Sequence, residues 1–383
     1  MKTINNLIQY ILIFMWSVIL HAQSAFHNYG SIQIHEEGQV GFHTNLIDDG
    51  SFDNNVGLAG FYSDGALTIS GTSRPIFYDM EVAVPEGLFL ETSVGITHVE
   101  NFISGRIHTP KGDRTISLDF LNDAMFFGES DNEHIYGYAS IYGKETFTFP
   151  LGDDKMLRPM TISPRGEESF FKGAYFYEDP NFPMYFNTNF STSQKQLLLK
   201  AVSNEEFWDL KGSSPVTVTL TWDANSDVGS LATSIQHLRV VGWSISENQW
   251  VDLGNTNVSG SFSSGSITSA SFVPDAYAVI TVGSAVTGDL DADNYLMTPN
   301  GDGLNDYFVI EGIEMQPNNT LSIYNRWGSL VYEVDGYANT FNGVANVSSA
   351  VNKNKGLPTG VYYYILELKE QGITTQGYIY INR

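Results

Sequence analysis

The chain has 383 residues, enough for two or three domains, and its 42% hydrophobic content allows ordinary cores and argues against wholesale disorder. Nineteen basic residues stand against 43 acidic ones, and the resulting formal charge of -24 repels nucleic acid and anionic membrane surfaces. The absence of cysteine excludes disulfides, thiol catalysis, cysteine-ligated zinc and a lipoprotein anchor.

The N-terminus has the pattern of a signal peptide. Lys2 precedes an apolar run from Leu7 to Leu20, and small residues follow that run. The run is shorter than the roughly 20 residues that span a bilayer. We therefore predict a signal peptide over residues 1–23, cleaved near Ala22 and Gln23 after delivery to the periplasm by the Sec pathway. The mature chain is then expected to have no transmembrane segment.

Residues 24–130 contain short alternating apolar runs introduced by Gly or Asn. Examples are Gly30–Ile34, Gly38–Phe42 and Gly65–Ile69. Turns recur roughly every 8 to 12 residues, and helical periodicity is almost missing. Such strands either stack as rungs of a β-solenoid or pair as an antiparallel sandwich. We favour the solenoid for this region.

Longer strand patterns follow in residues 131–283. In Val216–Trp222 the apolar residues alternate with threonines, as in a sheet with one solvated face. An antiparallel β-sandwich is expected here. The small and acidic stretch 284–295 is predicted to be a linker. With the strands of the last ninety residues, the whole chain is predicted to be all-β.

The last segment, residues 296–383, contains four motifs separated by strand patterns. Their turn residues, rich in Asn, Asp, Gly and Pro, predict tight turns between strands. We expect a small Ig-like antiparallel β-sandwich. The motifs are Thr298-Pro-Asn-Gly-Asp-Gly-Leu-Asn-Asp306, Ile323-Tyr-Asn-Arg-Trp-Gly328, Leu357-Pro-Thr-Gly-Val-Tyr-Tyr-Tyr364 and Gly377-Tyr-Ile-Tyr-Ile-Asn-Arg383.

This series closely resembles the gliding motility-associated C-terminal domain, the type B sorting domain of the type IX secretion system of Bacteroidetes. The resemblance implies transport across the outer membrane, with the type IX machinery and an outer-membrane partner protein as partners. Upstream segments such as Phe77–Val82 resemble modules of Bacteroidetes surface proteins. The residues that carry the sorting-domain resemblance are Thr298, Pro299, Asn300, Gly301, Asp302, Gly303, Asn305, Asp306, Asn325, Arg326, Trp327, Gly328, Pro358, Gly360 and Tyr362.

The first motif also has the oxygen donors of a metal-binding loop. Asn300, Asp302 and Asp306 are spaced so that they could ligate calcium, although the full twelve-residue calcium loop is not present. The same residues could instead form Asx turns that fix the loop, and we prefer this second interpretation. No cofactor is therefore expected, with calcium at this loop as the alternative.

No catalytic motif is recognisable in the sequence, which favours a protein that is not an enzyme. His27, His35 and His43 recur every eight residues, and stacked rungs could bring them together at a metal, but a polar face of the solenoid is the preferred interpretation. Trp250, which follows Asn248 and Gln249, is the candidate for an exposed sugar-stacking residue, but core packing is the preferred interpretation.

The leading functional hypothesis is a secreted or cell-surface, non-enzymatic protein exported by type IX secretion. Adhesion or a gliding-associated role is the expected activity, with an unidentified surface glycan or protein as ligand. The alternative is a secreted carbohydrate-binding protein or an enzyme acting on polysaccharide through an unrecognised site.

Overall fold

The computed structural model describes residues 25–143, 145–164, 169–196, 198–285, 295–310, 313, 316–347, 356–369 and 373–383. The predicted signal peptide and most of the predicted linker lie outside these residues. The structure is all-β, as predicted. The chain divides into two compact units: residues 1–143 with 150–157, and residues 144–149 with 158–383.

The first unit is a β-solenoid of about six turns. One sheet has the order β1-β3-β5-β7-β9-β12-β15, and a second includes β2-β4-β6-β8-β10-β13, with β11 beside β8. The strands are β1 (Ala25–Asn28), β2 (Gln39–Phe42), β3 (Asn45–Asp48), β4 (Leu58–Tyr62), β5 (Leu67–Ser70), β6 (Ile76–Ala83), β7 (Leu88–Leu90), β8 (Val94–Ser104), β9 (Ile107–His108), β10 (Leu118–Phe120), β11 (Met125–Phe127), β12 (Ile135–Tyr136), β13 (Ala139–Gly143) and β15 (Leu151–Gly152).

Parallel pairing between successive turns builds the solenoid core. Leu46, Ile69 and Leu90 stand in register on β3, β5 and β7, 23 and 21 residues apart, and all three are buried. Each turn therefore uses two short strands, one for each sheet, which explains the closely spaced turn signals of the sequence. The prediction of a solenoid is confirmed, and the sandwich considered for the same region is wrong.

The second unit begins with two sets of antiparallel strands. β17-β19-β25-β21-β22 are neighbours in one, with β18 also beside β25, and the other has the order β14-β16-β20-β24-β23. The strands are β14 (Phe147–Phe149), β16 (Met160–Pro164), β17 (Ser169–Phe176), β18 (Leu199–Val202), β19 (Phe207–Lys211), β20 (Val216–Asp223), β21 (Leu238–Ser244), β22 (Gln249–Asp252), β23 (Asn257–Ser261), β24 (Ser264–Thr268) and β25 (Tyr277–Ala285).

Strand β20 alternates as the sequence predicts. Val216, Val218, Leu220 and Trp222 are buried, whereas the threonines between them are half-exposed. The indole N–H of Trp222 donates to the carbonyl of Ser261 at 2.8 Å, which satisfies its one polar atom. The described helical segments of this region are short: Ala224–Ser226, Val228–Leu231, Ile235–His237 and Pro274–Ala276. The packing of these strands as a sandwich remains a prediction.

The C-terminal part forms one five-stranded sheet of order β26-β30-β29-β27-β28. All pairs are antiparallel except β26 with β30, which is parallel. The described residues of this C-terminal part form no second sheet, so the Ig-like sandwich remains a prediction. The strands are β26 (Tyr295–Met297), β27 (Asn319–Asn325), β28 (Leu330–Asp335), β29 (Gly360–Leu368) and β30 (Ile373–Ile381).

Candidate functional site

The first motif forms a tight loop after β26. The Thr298 N–H donates to the Asn305 carbonyl at 2.9 Å, which closes the loop. Within it the Asn300 side chain accepts from the Asp302 N–H at 3.0 Å, and the Asp302 carboxylate accepts from the Leu304 N–H at 2.8 Å. These two contacts are Asx turns, the arrangement preferred from the sequence.

Asp306 ties the same loop together from its far end. Its two carboxylate oxygens accept from the N–H groups of Gly301, at 2.7 Å, and Gly303, at 2.8 Å. Both glycines have positive φ angles, 82° and 86°, which side-chain-bearing residues rarely adopt. The hydrogen bonds from Asn300 and from the Leu304 N–H hold the pKa of Asp302 below its usual value. The carboxylate oxygens therefore already accept protein donors, and calcium binding by Asn300, Asp302 and Asp306 remains a prediction.

The second motif is the turn between β27 and β28. The Asn325 side chain accepts from the N–H groups of Trp327 and Ser329, both at 3.0 Å. Gly328 has a φ of 76°, and no heavy atom would lie within 4 Å of a Cβ atom at this position. The turn presents the Trp327 side chain, which is 74% exposed, and the Arg326 guanidinium lies 4.2 Å from the centre of its ring.

The third motif begins β29 and anchors it. The Tyr362 hydroxyl donates to the Pro358 carbonyl at 2.9 Å, and the Tyr362 side chain is buried. Gly360 pairs with Ile381, so the turn also fixes the register of β29 against β30. Tyr362 is thus a core residue that holds the turn rather than a surface residue.

The two faces of β29 differ in their surroundings. Tyr362, Tyr364, Leu366 and Leu368 point into the core. The described partners of this face include residues outside strands, namely Phe308, Ile310, Ile313, Tyr337, Phe341, Ala345 and Leu357. The alternate residues of β29 face outward.

The outer face of this sheet carries rows of exposed apolar and aromatic residues. Tyr324, Tyr363 and Tyr378 stand in register on β27, β29 and β30. Val361 is paired with Tyr380 beside them, and Tyr363 is 51% exposed. A groove of about 560 Å³ runs along this face and reaches the turn at Arg326 and Gly328. Aromatic residues next to arginine are the composition that protein interfaces favour.

The other sequence candidates do not join this surface. Trp250 is fully buried, its ring N–H lies 3.3 Å from the Phe190 carbonyl, and its ring packs edge-on against Trp243. Trp250 is therefore a core residue, the interpretation preferred from the sequence, and not the exposed stacking residue considered beside it, because its side of β22 faces the core. His27 lies on β1 and His43 follows β2, and these two strands belong to different sheets of the solenoid. His27 also pairs with the Asp49 carboxylate at 2.7 Å.

No three His, Cys, Asp or Glu side chains in the described part of the chain form a group suited to holding a metal ion. None of the helices described reaches the length and hydropathy needed to cross a bilayer.

A buried charged cluster lies in the second unit around Arg158. Its guanidinium is within 3.2 Å of Glu206 and 2.9 Å of Asp223, and the Tyr175 hydroxyl donates to Glu206 at 2.6 Å. The side chains of Arg158 and Glu206 are only 3% and 1% exposed. The burial of Arg158 and Glu206 fits a structural role, and we assign this ion pair to stability.

The aromatic rows of the outer face were missed in the sequence. The signal was present in Val361–Leu368, where tyrosine occupies both the inward and the outward positions. A strand with one solvated face ordinarily has polar residues at the outward positions. Tyrosine at both is therefore the signal in the sequence that the outward face of β29 is aromatic.

Residues 290–381 match the family of the CHU_C Type IX secretion signal domain. This range contains all four motifs of the last segment except the final two residues, and it includes the outer face described above. Comparisons with curated proteins and with solved structures find no significant match. The C-terminal domain is therefore a type IX secretion signal, which implies contact with the secretion machinery and placement at the cell surface or outside the cell.

Proposed function

We propose that this protein is a non-enzymatic cell-surface or secreted protein with an adhesive role. We also propose that the secretion machinery recognises the outer face of its C-terminal sheet. The observation that carries the export part of the proposal is the coincidence of the secretion-signal match with an exposed aromatic surface on the same domain. The solenoid then serves as the exported body. Its two sheets, which are built from parallel strands, offer long, regular faces suited to contact with an extended ligand.

Export requires that the machinery distinguish this domain from other folded proteins. Trp327, on the turn between β27 and β28, and Tyr363, on β29, are exposed aromatic side chains, and such residues often act as anchors of interfaces. The turn of Asn325 and Gly328 holds the first, and the register of β29 holds the second. We assign recognition to this surface, with an outer-membrane partner protein as part of the receiving machinery.

Alanine variants of Trp327 and Tyr363 test this assignment. Each interface anchor is worth about 2 kcal/mol, so the double variant should accumulate in the periplasm while its melting temperature stays close to that of the wild type. Glu367→Ala, on the same face of β29, is the matched control. Normal surface display of a folded double variant would show that this face is not the recognition surface.

The adhesive role has a separate test. Cells that display the full chain should bind to polysaccharide-coated or protein-coated surfaces more than cells from which the gene is deleted. Purified protein that hydrolyses a polysaccharide would favour the enzymatic alternative instead.

A further inference from the structure

The outer face of the solenoid sheet containing β2, β4, β6 and β8 has an unusual distribution of glycine. Gly41, Gly60, Glu81 and Asn101 stand in one row across the four strands. Because Gly41 on β2 and Gly60 on β4 have no side chains, the row is bare next to Glu81 on β6. The sheet surface is therefore open to a ring that lies flat on it.

Tyr62 occupies this space. A Cβ atom on Gly60 would lie 2.1 Å from the Tyr62 hydroxyl oxygen and 2.3 Å from its ring carbons, so the ring lies directly on the backbone of Gly60. The hydroxyl donates to a carboxylate oxygen of Glu81 at 2.9 Å. Burial, with this hydrogen bond, raises the pKa of Tyr62 to about 12, so the phenol remains neutral. The result is a fixed aromatic platform beside a carboxylate.

A second aromatic pair lies on the same face. The rings of Tyr78 and His98 stack with centres 4.5 Å apart, and His98 is 2.7 Å from the Asp79 carboxylate. The side chains of His98 and Asp79 are 48% and 33% exposed. Aromatic and acidic groups thus lie side by side on this face.

Two depressions mark this face of the sheet. The first, of about 470 Å³, is lined by residues that include Glu37, Tyr78, Asp79, Glu81 and His98. The second, of about 500 Å³, is lined by residues that include His43, Tyr62 and Asp64. The hydrogen bond between Tyr62 and Glu81 joins residues of the two, so one extended ligand can use both. Their volumes lie in the range of ligand sites.

We propose that this face binds a neutral polysaccharide, with the Tyr62 ring as the stacking platform and Glu81 and Asp79 as hydrogen-bond acceptors for sugar hydroxyls. An aromatic ring offers an apolar surface to the C–H face of a sugar, and an ionised carboxylate accepts strong hydrogen bonds from hydroxyl groups. The carboxylates along the face, with the chain's charge of -24, repel polymers of uronic acids and sulfated sugars. Charge therefore selects a neutral chain.

This inference names a ligand for the proposed adhesive role. It rests on the proposed function only for the place where the ligand is met, at the cell surface or outside the cell. Binding by purified protein does not depend on export. A failure of the secretion signal would leave the binding result unchanged, and a failure of binding would leave the export result unchanged.

Affinity electrophoresis of the purified full-length chain tests the proposal, with dextran, laminarin, xyloglucan and galactomannan as neutral probes and polygalacturonate and dextran sulfate as anionic ones. We expect retardation by at least one neutral polymer and by neither anionic one. Retardation by none of the neutral polymers, or stronger retardation by an anionic polymer, overturns the proposal.

Variants locate the site. Glu81→Gln keeps the shape of the side chain and removes the charged acceptor, so affinity should fall about tenfold or more. Tyr62→Ala should also weaken binding, whereas Tyr29→Ala, at an exposed tyrosine outside both depressions, should not. Unchanged binding by folded Glu81→Gln and Tyr62→Ala proteins contradicts the assignment of this face.

Discussion

Arg158 and Glu206 form an ion pair in the interior of the second unit, with 3.2 Å between Nε and the carboxylate oxygen and almost no exposure of either side chain. Burial raises the pKa of Glu206, and Arg158 acts in the opposite direction by favouring the charged carboxylate. Asp223 and Tyr175 complete the surroundings of the pair. Such a pair is costly to break, because loss of Glu206 would leave Asp223 as the remaining acidic partner of the buried Arg158 guanidinium.

Glu206→Ala should therefore lower the free energy of unfolding by about 3–5 kcal/mol, since Arg158 would remain buried without this partner. Denaturant unfolding of the purified chain measures the effect on the second unit. Glu205→Gln, at the neighbouring half-exposed position, should change stability by less than about 0.5 kcal/mol. Equal effects of the two variants would contradict a structural role for the pair.

We expect the stability of the solenoid to depend on pH because of the buried carboxyl group of Glu100. It is fully buried on β8 with Met80 and Phe126 as its neighbours in register, and neither carboxylate oxygen has a hydrogen-bond partner among the described residues. Burial raises its pKa well above the ordinary value of 4.5, and the nearby charge of Glu81 adds to this. The folded state therefore holds a proton that the unfolded chain releases above that value.

Stability of the solenoid should accordingly fall as the pH rises from about the ordinary glutamate pKa towards the raised one. Glu100→Met removes the proton uptake and the unsatisfied oxygens, so it should add about 1–3 kcal/mol at neutral pH. The gain should shrink in acid. Urea midpoints measured between pH 4 and 8 test this, with the exposed Glu86→Gln as control; a gain independent of pH would exclude titration of Glu100 as its cause.

Gly377 should not tolerate a side chain. A Cβ atom at this position would lie 2.6–2.8 Å from ring and hydroxyl atoms of Tyr364, which is buried in the C-terminal core. Gly377→Ala should destabilise the C-terminal domain by about 1–3 kcal/mol through overpacking. Gln376→Ala, exposed on the same strand, is the control, and thermal melting of both variants decides the matter. A melting temperature equal to that of the control would mean that the Tyr364 ring can move aside.

The two interpretations of the loop of Asn300, Asp302 and Asp306, calcium binding and Asx turns, can be distinguished by the melting temperature of the domain. Calcium bound only to the folded domain would raise its melting temperature, because binding stabilises by mass action. The backbone N–H groups of Gly301 and Gly303 already occupy both oxygens of Asp306, so we expect no shift between saturating calcium and chelator. A reproducible rise with calcium would instead establish the metal site.

Local patterns predicted much of the fold. The alternation of Val216 to Trp222 predicted which face of β20 is buried, and the closely spaced turns predicted the solenoid. The hydrogen-bonding residues of the loop at Asn300 and the turn at Asn325 were also recognisable, because Asx contacts act within a few residues.

The contacts that the sequence did not predict are those set by the length of a solenoid turn. Tyr62 and Glu81 are 19 residues apart, and their contact follows only when the register of β4 against β6 is known. The same holds for Glu100, whose polar neighbours in sequence suggest an exposed position although its row faces the core. Trp250 was considered as an exposed residue because Asn248 and Gln249 precede it, and its burial is certain only once the pairing of β22 with β21 is known.

The most direct test of the central claim, that the C-terminal domain is the export signal, is the location of the protein in a host with type IX secretion. The measurement is cell fractionation combined with surface protease access, for three proteins: the full chain, a chain lacking residues 286–383, and a reporter with a signal peptide and residues 286–383. We predict that the full chain and the reporter reach the cell surface or medium and that the truncated chain stays in the periplasm. Export of the truncated chain, or retention of the folded reporter fusion, would contradict the account.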